Sequence, residues 1–254
     1  MKVLITGASS GIGRDIAREF AKRGYDLVLV SRNKEKLQEL KLNFEKEYKI
    51  SVEFFTLDLS IERNCLDLHD KVKNVDILIN NAGLGDFGKF EQTDLSKDLT
   101  IIETNIKALH ILTKLYLKDM KEKNEGQILN VASIAGFMPG PLMATYYASK
   151  NYVVRLSEAI REELKKDKSN VKISVLCPGP VKTNFNNVAN VRFEIRSLSS
   201  EYVARYTVEK LLKKKFYIVP GFTIKMAKFL SKIVPTSIVA KCCYYMQKKK
   251  ETFK

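Results

Sequence analysis

Short apolar runs alternate with longer amphipathic segments along most of the chain. The runs are rich in Val, Ile and Leu, as over residues 27–30 and 77–79, and the intervals repeat apolar residues at helical spacing. This alternation is typical of βαβ units, and runs that are apolar throughout indicate strands buried on both sides. We therefore predict an α/β fold, a doubly wound, seven-stranded parallel sheet with helices on both faces.

The chain contains no internal repeat, low-complexity stretch or Pro/Gly/Ser-rich linker that would divide it. We predict one domain over 1–221 and a basic helical extension over 222–254. The predicted strands are residues 2–6, 26–31, 51–57, 76–80, 126–132, 172–177 and 216–219. The predicted helices include residues 11–23, 34–48, 99–123, 145–166 and 200–214. The polar segment 183–199 follows the sixth strand, where parallel sheets bind ligands, so we expect it to cover a bound substrate.

Composition narrows the functional classes. With 254 residues and 45% hydrophobic content, the chain can bury a substantial core. Its four cysteines show no metal-ligand spacing and His69 and His110 stand alone, so we expect free thiols and no metal site. The chain opens on an apolar strand without a leader pattern, and no apolar run approaches the roughly 18 residues of a membrane span. We therefore expect a protein of the reducing cytoplasm.

Three glycines fall on the turn between the first strand and the first helix. Gly7, Gly11 and Gly13 have the spacing GxxxGxG, with Ser9, Ser10 and Ile12 between them. Small residues let backbone N–H groups approach a pyrophosphate closely, and the helix N-terminus adds partial positive charge. The turn therefore predicts nucleotide binding, although a glycine-rich turn alone is also compatible with a purely structural role.

Four further motifs follow in order along the chain. The first is Asn80-Asn81-Ala82-Gly83 after the fourth strand, and the second is Asn105 in the next helix. The third is Ser133 at the end of the fifth strand, together with Tyr146-Tyr147-Ala148-Ser149-Lys150 in the helix that follows. The fourth is Cys177-Pro178-Gly179-Pro180-Val181-Lys182-Thr183 after the sixth strand. With the glycine turn, this set resembles the short-chain dehydrogenase/reductase family over residues 1–221. The resemblance implies a Rossmann-like dinucleotide-binding catalytic domain that interconverts a carbonyl and an alcohol.

Tyr146 and Lys150 are the candidate catalytic pair. They are four residues apart, so on a helix they share one face, and an ammonium beside a phenol lowers the pKa of the phenol toward working pH. Alone, the pair favours an ordinary helical Tyr with a solvated Lys, and only the ordered company of Ser133 and Asn105 reverses this. The resemblance implies that Tyr146 protonates the substrate oxygen, that Ser133 hydrogen-bonds it and that Asn105 holds a relay water. It also implies that Lys150 binds the nicotinamide ribose.

The end of the second strand indicates which nicotinamide cofactor is used. Ser31 stands where an acidic residue would hydrogen-bond a free ribose 2′-hydroxyl, and Arg32 can pair with a 2′-phosphate. NADP(H) is therefore predicted over NAD(H), although Ser10 stands where some NADP-preferring members carry a basic residue. Asp58 and Leu59 match the positions beside the adenine, and Asp58 is also a candidate helix cap. The other expected cofactor contacts are Gly7, Ser9, Ser10, Gly11, Ile12, Gly13, Asn81, Ala82, Gly83, Tyr146, Lys150, Pro178, Gly179, Val181 and Thr183.

The extension over 222–254 carries a net charge of +7 out of +15 for the whole chain. Met226, Phe229, Leu230, Ile233 and Val234 recur at helical spacing until Pro235. A second predicted helix is capped by Thr236 or Ser237 and carries Ile238, Val239, Cys242, Tyr245 and Met246. Lysines border both apolar stripes, which suits an anchor on a membrane surface; the alternative is a cover over the substrate cleft or a subunit interface.

We therefore predict an NADP(H)-dependent reductase of a hydrophobic ketone or aldehyde, such as a 3-oxoacyl, lipid-like or steroid-like carbonyl. The alternative is a catalytically silent NADP(H)-sensing protein on the same fold. The resemblance implies a homodimer or homotetramer. Peripheral membrane contact through 222–254 is a further expectation, and no nucleic acid is expected, because the basic tail matches no recognised binding module.

Overall fold

A computed structural model of the chain describes residues 1–183, 185 and 197–249. Its strands are β1 Lys2–Thr6, β2 Asp26–Ser31, β3 Val52–Thr56, β4 Ile77–Asn80, β5 Gln127–Val131, β6 Lys172–Leu176, β7 Val181–Lys182, β8 Leu198–Ser199 and β9 Tyr217–Ile218. Seven of them form one parallel sheet in the order β3-β2-β1-β4-β5-β6-β9. The order reverses between β1 and β4, where such sheets open a crevice at their carboxyl edge.

Helices cover both faces of this sheet. They are α1 Gly11–Ala21, α2 Lys34–Tyr48, α3 Glu62–Lys71, α4 Leu95–Ile102, α5 Leu109–Lys123, α6 Ala144–Lys166, α7 Ser200–Leu212, α8 Phe222–Ile233 and α9 Thr236–Lys248. One apolar cluster packs α3, α5 and α6 against the sheet, and a second packs α1, α2 and α7 against its other face. The predicted doubly wound, seven-stranded Rossmann-like fold is confirmed.

The predicted helix over 99–123 is wrong in its start and in its continuity. The helical path begins earlier, at Leu95, because the Asp94 side chain accepts a hydrogen bond from Ser96 N and caps α4. A π-helical segment, Glu103–Ala108, then separates α4 from α5. A π-turn adds one residue without breaking the helical path, so the apolar periodicity does not reveal it, and such turns often lie at functional sites. Asn105 lies in this segment.

The predicted cover segment 183–199 lies largely outside the described residues. Its flanks are described: β7 pairs with β8 in a separate two-stranded parallel sheet. Ser199 then caps α7, with its Oγ accepting a hydrogen bond from Tyr202 N at 3.2 Å.

A buried chain of polar side chains links β4 and β5 to the helices behind them. Asn130 Oδ1 accepts hydrogen bonds from Asn80 Nδ2 at 2.9 Å and Thr113 Oγ1 at 3.3 Å, and Asn130 Nδ2 donates to Ser157 Oγ at 3.1 Å. All four side chains are almost fully buried. Asn80 Oδ1 has no partner in this network, but the four hydrogen bonds among these side chains still link the sheet to the helices behind it.

We expect Asn130→Leu to lower the free energy of unfolding by about 2–4 kcal/mol, because it leaves buried groups of three neighbours without this partner. Urea unfolding of the purified protein measures the change. Asn43→Leu, on the exposed side of α2, is the matched control and should stay within about 0.5 kcal/mol of wild type. An equal loss in both variants would contradict the role assigned to the network.

The extension forms the two helices predicted for it, α8 and α9, separated at Val234 and Pro235. The predicted cap is wrong: Pro235 occupies the cap position of α9, and no side chain caps the helix. Among the described residues no helix is both long and apolar enough to cross a membrane. The division of the chain into 1–221 and 222–254 stays a prediction.

Candidate active site

The glycine turn between β1 and α1 has a backbone that needs its glycines. Gly7 and Gly11 have φ values of +64° and +54°, in the left-handed region that favours glycine. A Cβ on Gly13 would lie 2.4 Å from Gly7 O and 2.4 Å from Asn81 Nδ2. Gly13 therefore allows the start of α1 to approach the turn closely, and the N-terminus of that helix points its free N–H groups toward the crevice.

Asn81 joins the glycine turn to the segment after β4. Its Nδ2 donates to Thr6 O at 2.9 Å and to Gly7 O at 3.1 Å. Thr6 Oγ1 in turn accepts hydrogen bonds from the backbone N–H groups of Asn81 and Ala82, both at 3.0 Å. The Asn81 side chain thus holds the cradle together, and Thr6 is a positioning residue that the sequence reasoning did not select.

A cavity of about 610 Å³ opens at the carboxyl edge of the sheet. The predicted site residues that line it are Gly7, Ser9, Ser10, Gly11, Ile12, Arg32, Asp58, Leu59, Asn81, Ala82, Gly83, Ser133, Tyr146, Lys150, Pro178, Gly179, Val181 and Thr183. Gly13 and Asn105 do not line it. They lie behind the cavity wall, Gly13 at the start of α1 and Asn105 in the π-segment.

Ser133, Tyr146 and Lys150 meet at one end of this cavity. Ser133 follows β5, and its Oγ caps the short 3-10 helix Ile134–Phe137 by accepting from Ala135 N at 3.2 Å. It also donates to Pro178 O at 3.5 Å, and it lies near enough to the Tyr146 phenol to lower the pKa of that group. Lys150 is 5% exposed, and its Nζ lies 5.8 Å from the centre of the Tyr146 ring and donates to Val131 O at 2.9 Å.

Burial shifts the pKa values of both Tyr146 and Lys150. Burial raises the pKa of Tyr146 to about 12, against the opposing effect of the hydrogen bond from Ser133. Burial also lowers the pKa of Lys150 to about 8. The lowering of the Tyr146 pKa by Lys150 stays a prediction, because burial of the phenol sets the direction of this shift. At neutral pH Tyr146 holds its proton, which makes it an acid ready to donate.

Asn105 is 1% exposed and braces the cavity wall from behind. Its Nδ2 donates to Leu84 O at 2.8 Å and to Ser149 Oγ at 3.0 Å, and its Oδ1 accepts from Leu84 N at 2.8 Å. A Cβ on Gly83 would lie 3.3 Å from both Asn105 Oδ1 and Lys150 Nζ, so these two polar atoms flank the same glycine. The relay water assigned to Asn105 by resemblance stays a prediction.

The opposite end of the cavity carries the residues predicted to meet the adenosine. Arg32 Nη1 lies 3.8 Å from Asp58 Oδ2, and both side chains are substantially exposed, at 61% and 38%. Asp58 Oδ1 accepts from the backbone and hydroxyl of Ser60, so it caps that turn, whereas Ile61 occupies the cap position of α3. Burial acts to raise the pKa of Asp58, but these hydrogen bonds and Arg32 lower it overall.

Several lining residues escaped the sequence reasoning. Beside Arg32 these are Asn33, Glu35 and Lys36, from the first turn of α2 and its cap. Near Tyr146 they are Met143, Tyr147, Phe185 and Gln247. Most of these residues stand close in sequence to the motif residues, which could have identified them. Gln247 is the exception, because it reaches the cavity from α9 and donates to Tyr147 Oη at 2.7 Å.

The fold and the glycine cradle together define a Rossmann-like domain with a crevice at the carboxyl edge of its sheet. A profile of short chain dehydrogenases matches residues 1–192, so the chain belongs to the short-chain dehydrogenase/reductase family. Its motifs, from the glycine turn to Lys150, all fall within that match.

Among curated proteins the chain is similar to the very-long-chain 3-oxoacyl-CoA reductase of Rattus norvegicus. The two are 33% identical over 172 residues, which cover 64% of this chain and 54% of that protein. Hydroxysteroid dehydrogenase-like protein 1 of Gallus gallus is 35% identical over 165 residues, covering 63% of this chain and 50% of that protein. The chain thus spans about half the length of these relatives.

Among solved structures it is similar to a short-chain dehydrogenase from Sphingobium yanoikuyae in complex with NADPH, with 27% identity and a TM-score of 0.82 over 93% of this chain and 97% of that one. A short-chain dehydrogenase/reductase from Burkholderia phymatum in complex with NAD has 27% identity and a TM-score of 0.82, over 90% and 92%. Similar structures therefore hold either nicotinamide cofactor.

Proposed function

We propose that this protein is an NADP(H)-dependent carbonyl reductase that acts on a hydrophobic ketone or aldehyde. One observation carries the proposal. Ser133, Tyr146 and Lys150 meet at one end of the cavity, and the glycine turn lines another part of the same cavity. A protonated Tyr146 beside the Ser133 hydroxyl is the arrangement that a carbonyl oxygen requires when it becomes a hydroxyl.

The residues of the chain divide the work of this reaction. The nicotinamide cofactor supplies the hydride when it is bound, and the glycine turn with the N-terminus of α1 fits its pyrophosphate. Ser133 donates a hydrogen bond to the substrate oxygen and orients the carbonyl. Tyr146 gives that oxygen its proton as negative charge develops there, and the Lys150 ammonium stabilises the phenolate that remains.

The substrate class follows from the wall beside Tyr146. Met143, Tyr147 and Phe185 pack there as an apolar cluster with the Tyr146 ring, and Phe185 lies 5.5 Å from that ring, centre to centre. Such a wall favours an acyl, lipid-like or steroid-like group over a small polar carbonyl. Two relatives named as a 3-oxoacyl-CoA reductase and a hydroxysteroid dehydrogenase-like protein support the same class.

The experiment that tests the function is oxidation of NADPH with a panel of 3-oxoacyl thioesters, ketosteroids, quinones and simple aldehydes. Turnover with apolar ketones, and little with small polar ones, is the expected result. Tight NADPH binding without turnover of any carbonyl would favour the silent sensing protein instead.

The preference for NADP(H) is proposed from the residues beside the adenosine end. Arg32 and Lys36 supply positive charge there, and Ser31 leaves room for a 2′-phosphate, although Glu35 also lines this part of the cavity.

We expect Ser31→Asp/Arg32→Ser to move the NADPH-to-NADH ratio of kcat/KM toward NADH by about 100-fold, because it adds a carboxylate and removes a phosphate partner. Steady-state kinetics with both cofactors measure the ratio. Glu35→Gln is the control that should shift it slightly toward NADPH, and an unchanged ratio in the double variant would contradict the assignment.

Assembly and location stay proposals of the same kind. Leu95 and Leu99 on α4 are 71% and 52% exposed and offer an apolar face to a second copy of the chain, consistent with a homodimer or homotetramer. Light scattering after size exclusion measures the mass directly. The four cysteines all lie among the described residues and form no disulfide there, which is compatible with the proposed cytoplasmic location.

A further inference from the structure

Helices α8 and α9 expose large apolar side chains on the sides that face solvent. On α8 these are Phe222, Met226, Phe229, Leu230 and Ile233, which are 43–76% exposed. On α9 they are Ile238, Tyr245 and Met246, which are 51–56% exposed. We call these eight residues the tail surface. An apolar surface of this extent on a soluble domain indicates a partner.

The exposure is a consequence of how each helix is docked. The side of α8 that meets the domain carries Ile224, Ala227 and Ser231, all partly buried, and by helical period Phe229 and Ile233 lie on the opposite side. On α9 the inner side carries Cys243 and Gln247, which are 2% and 3% exposed, and Tyr245 lies opposite. Both helices therefore leave most of their large apolar side chains outside, although Ile224 and Lys228 on the inner side of α8 also pack against the domain.

The charge around the tail surface has a single sign. From Phe222 to Lys250 the sequence contains seven lysines and no Asp or Glu. Lys225, Lys241 and Lys248 are exposed on the same two helices. Apolar side chains that enter a lipid interface, bordered by lysines that meet anionic headgroups, are the pattern of a helix lying in the plane of a membrane.

We propose that the tail surface binds the surface of an anionic lipid bilayer. A second copy of this chain would bring two lysine-rich surfaces together without a compensating carboxylate between Phe222 and Lys250, and repulsion opposes that contact. An anionic bilayer satisfies both the apolar residues and the lysines.

The position of α9 gives this contact a consequence for the reaction, which rests on the proposed function. Gln247 lines the cavity and donates to Tyr147 Oη at 2.7 Å, while Tyr245 projects from the outer side of the same helix. Bilayer and cavity are then separated by one helix, about 10 Å across. The structure thus places the cavity where it can take a carbonyl substrate that resides in the membrane.

Flotation with vesicles tests the docking. Wild type should float with phosphatidylcholine vesicles that contain about one third phosphatidylglycerol, bind pure phosphatidylcholine much less, and be released by high salt. Phe229→Glu/Ile233→Glu should bind the anionic vesicles at least about tenfold more weakly, because it places charge in the lipid interface.

The matched control adds the same two charges elsewhere. Leu42→Glu/Asn43→Glu lies on the exposed side of α2, which packs on the other face of the sheet from α8, and should bind vesicles like wild type. Failure of wild type to float, or equal flotation of the Phe229/Ile233 variant, overturns the proposal. The proposal is also overturned if wild type forms an oligomer in solution, Phe229→Glu/Ile233→Glu dissociates that oligomer, and neither protein floats. That result would identify a second copy of the chain as the partner.

Turnover separates this proposal from the proposed function. Both double variants should reduce an apolar ketone supplied in solution without vesicles like wild type. Phe229→Glu/Ile233→Glu should lose about tenfold on a long-chain ketone supplied in anionic vesicles. If wild type reduces no ketone, the proposed function fails and flotation still decides the docking. If wild type floats but the variant keeps full activity on the vesicle-borne ketone, the link between docking and substrate supply is overturned.

Discussion

Tyr146→Phe should lower kcat/KM for reduction of the best ketone by about 10³-fold, because it removes the proton that is transferred to the substrate oxygen. The rings that pack against it should not move: Phe185 and Tyr147 lie 5.5 and 6.0 Å from the Tyr146 ring, centre to centre, and contact carbon atoms that phenylalanine keeps. The Kd for NADPH, measured by fluorescence titration, should therefore stay within about twofold of wild type.

The matched control is Tyr152→Phe on the same helix. The Tyr152 hydroxyl lies 2.7 Å from His110 Nδ1 and outside the cavity, so its loss should change kcat/KM by less than about twofold. Unchanged turnover in Tyr146→Phe would remove Tyr146 from the mechanism. Equal loss in both variants would point to a general disturbance of α6 instead of lost proton transfer.

The parts of the fold that depend on local pattern could be predicted from the sequence. β1, β2 and α2 have the predicted bounds, because continuous apolar runs and a helix with a clear cap leave little choice. The π-segment around Asn105 could not be predicted, since one inserted residue leaves the apolar pattern of a helix unchanged.

The tail shows where the usual rule fails. Reading apolar stripes as buried faces would place Phe229 and Tyr245 against the domain, yet both face solvent. Smaller or polar side chains such as Ala227 and Gln247 meet the domain instead, and only the tertiary fold brings Gln247 to Tyr147, a hundred residues earlier. No local signal in the sequence carries that contact.

Lys150→Met should lower kcat/KM by at least about 10³-fold, because the phenolate left on Tyr146 after proton transfer then has no ammonium near it. Methionine fills a similar volume, so the fold should persist. Lys166→Met, at the exposed end of the same helix, is the matched control and should leave kcat/KM unchanged. Near-normal turnover in Lys150→Met would contradict the role of the ammonium.

Wild type and Lys150→Met should also differ in how their free energies of unfolding depend on pH. Burial lowers the pKa of Lys150 from 10.5 to about 8, so between these pH values the unfolded chain holds a proton that the folded protein has lost. The free energy of unfolding of wild type, relative to Lys150→Met, should therefore be constant below about pH 7.5 and rise above pH 8, by about 3 kcal/mol in total near pH 10.5. Urea unfolding of both proteins at each pH measures the difference, in which the titration of distant groups cancels. If the difference in free energy of unfolding stays constant from pH 7 to 10, Lys150 keeps an ordinary pKa. If the difference falls over this range, the folded protein binds the Lys150 proton more tightly than the unfolded chain does.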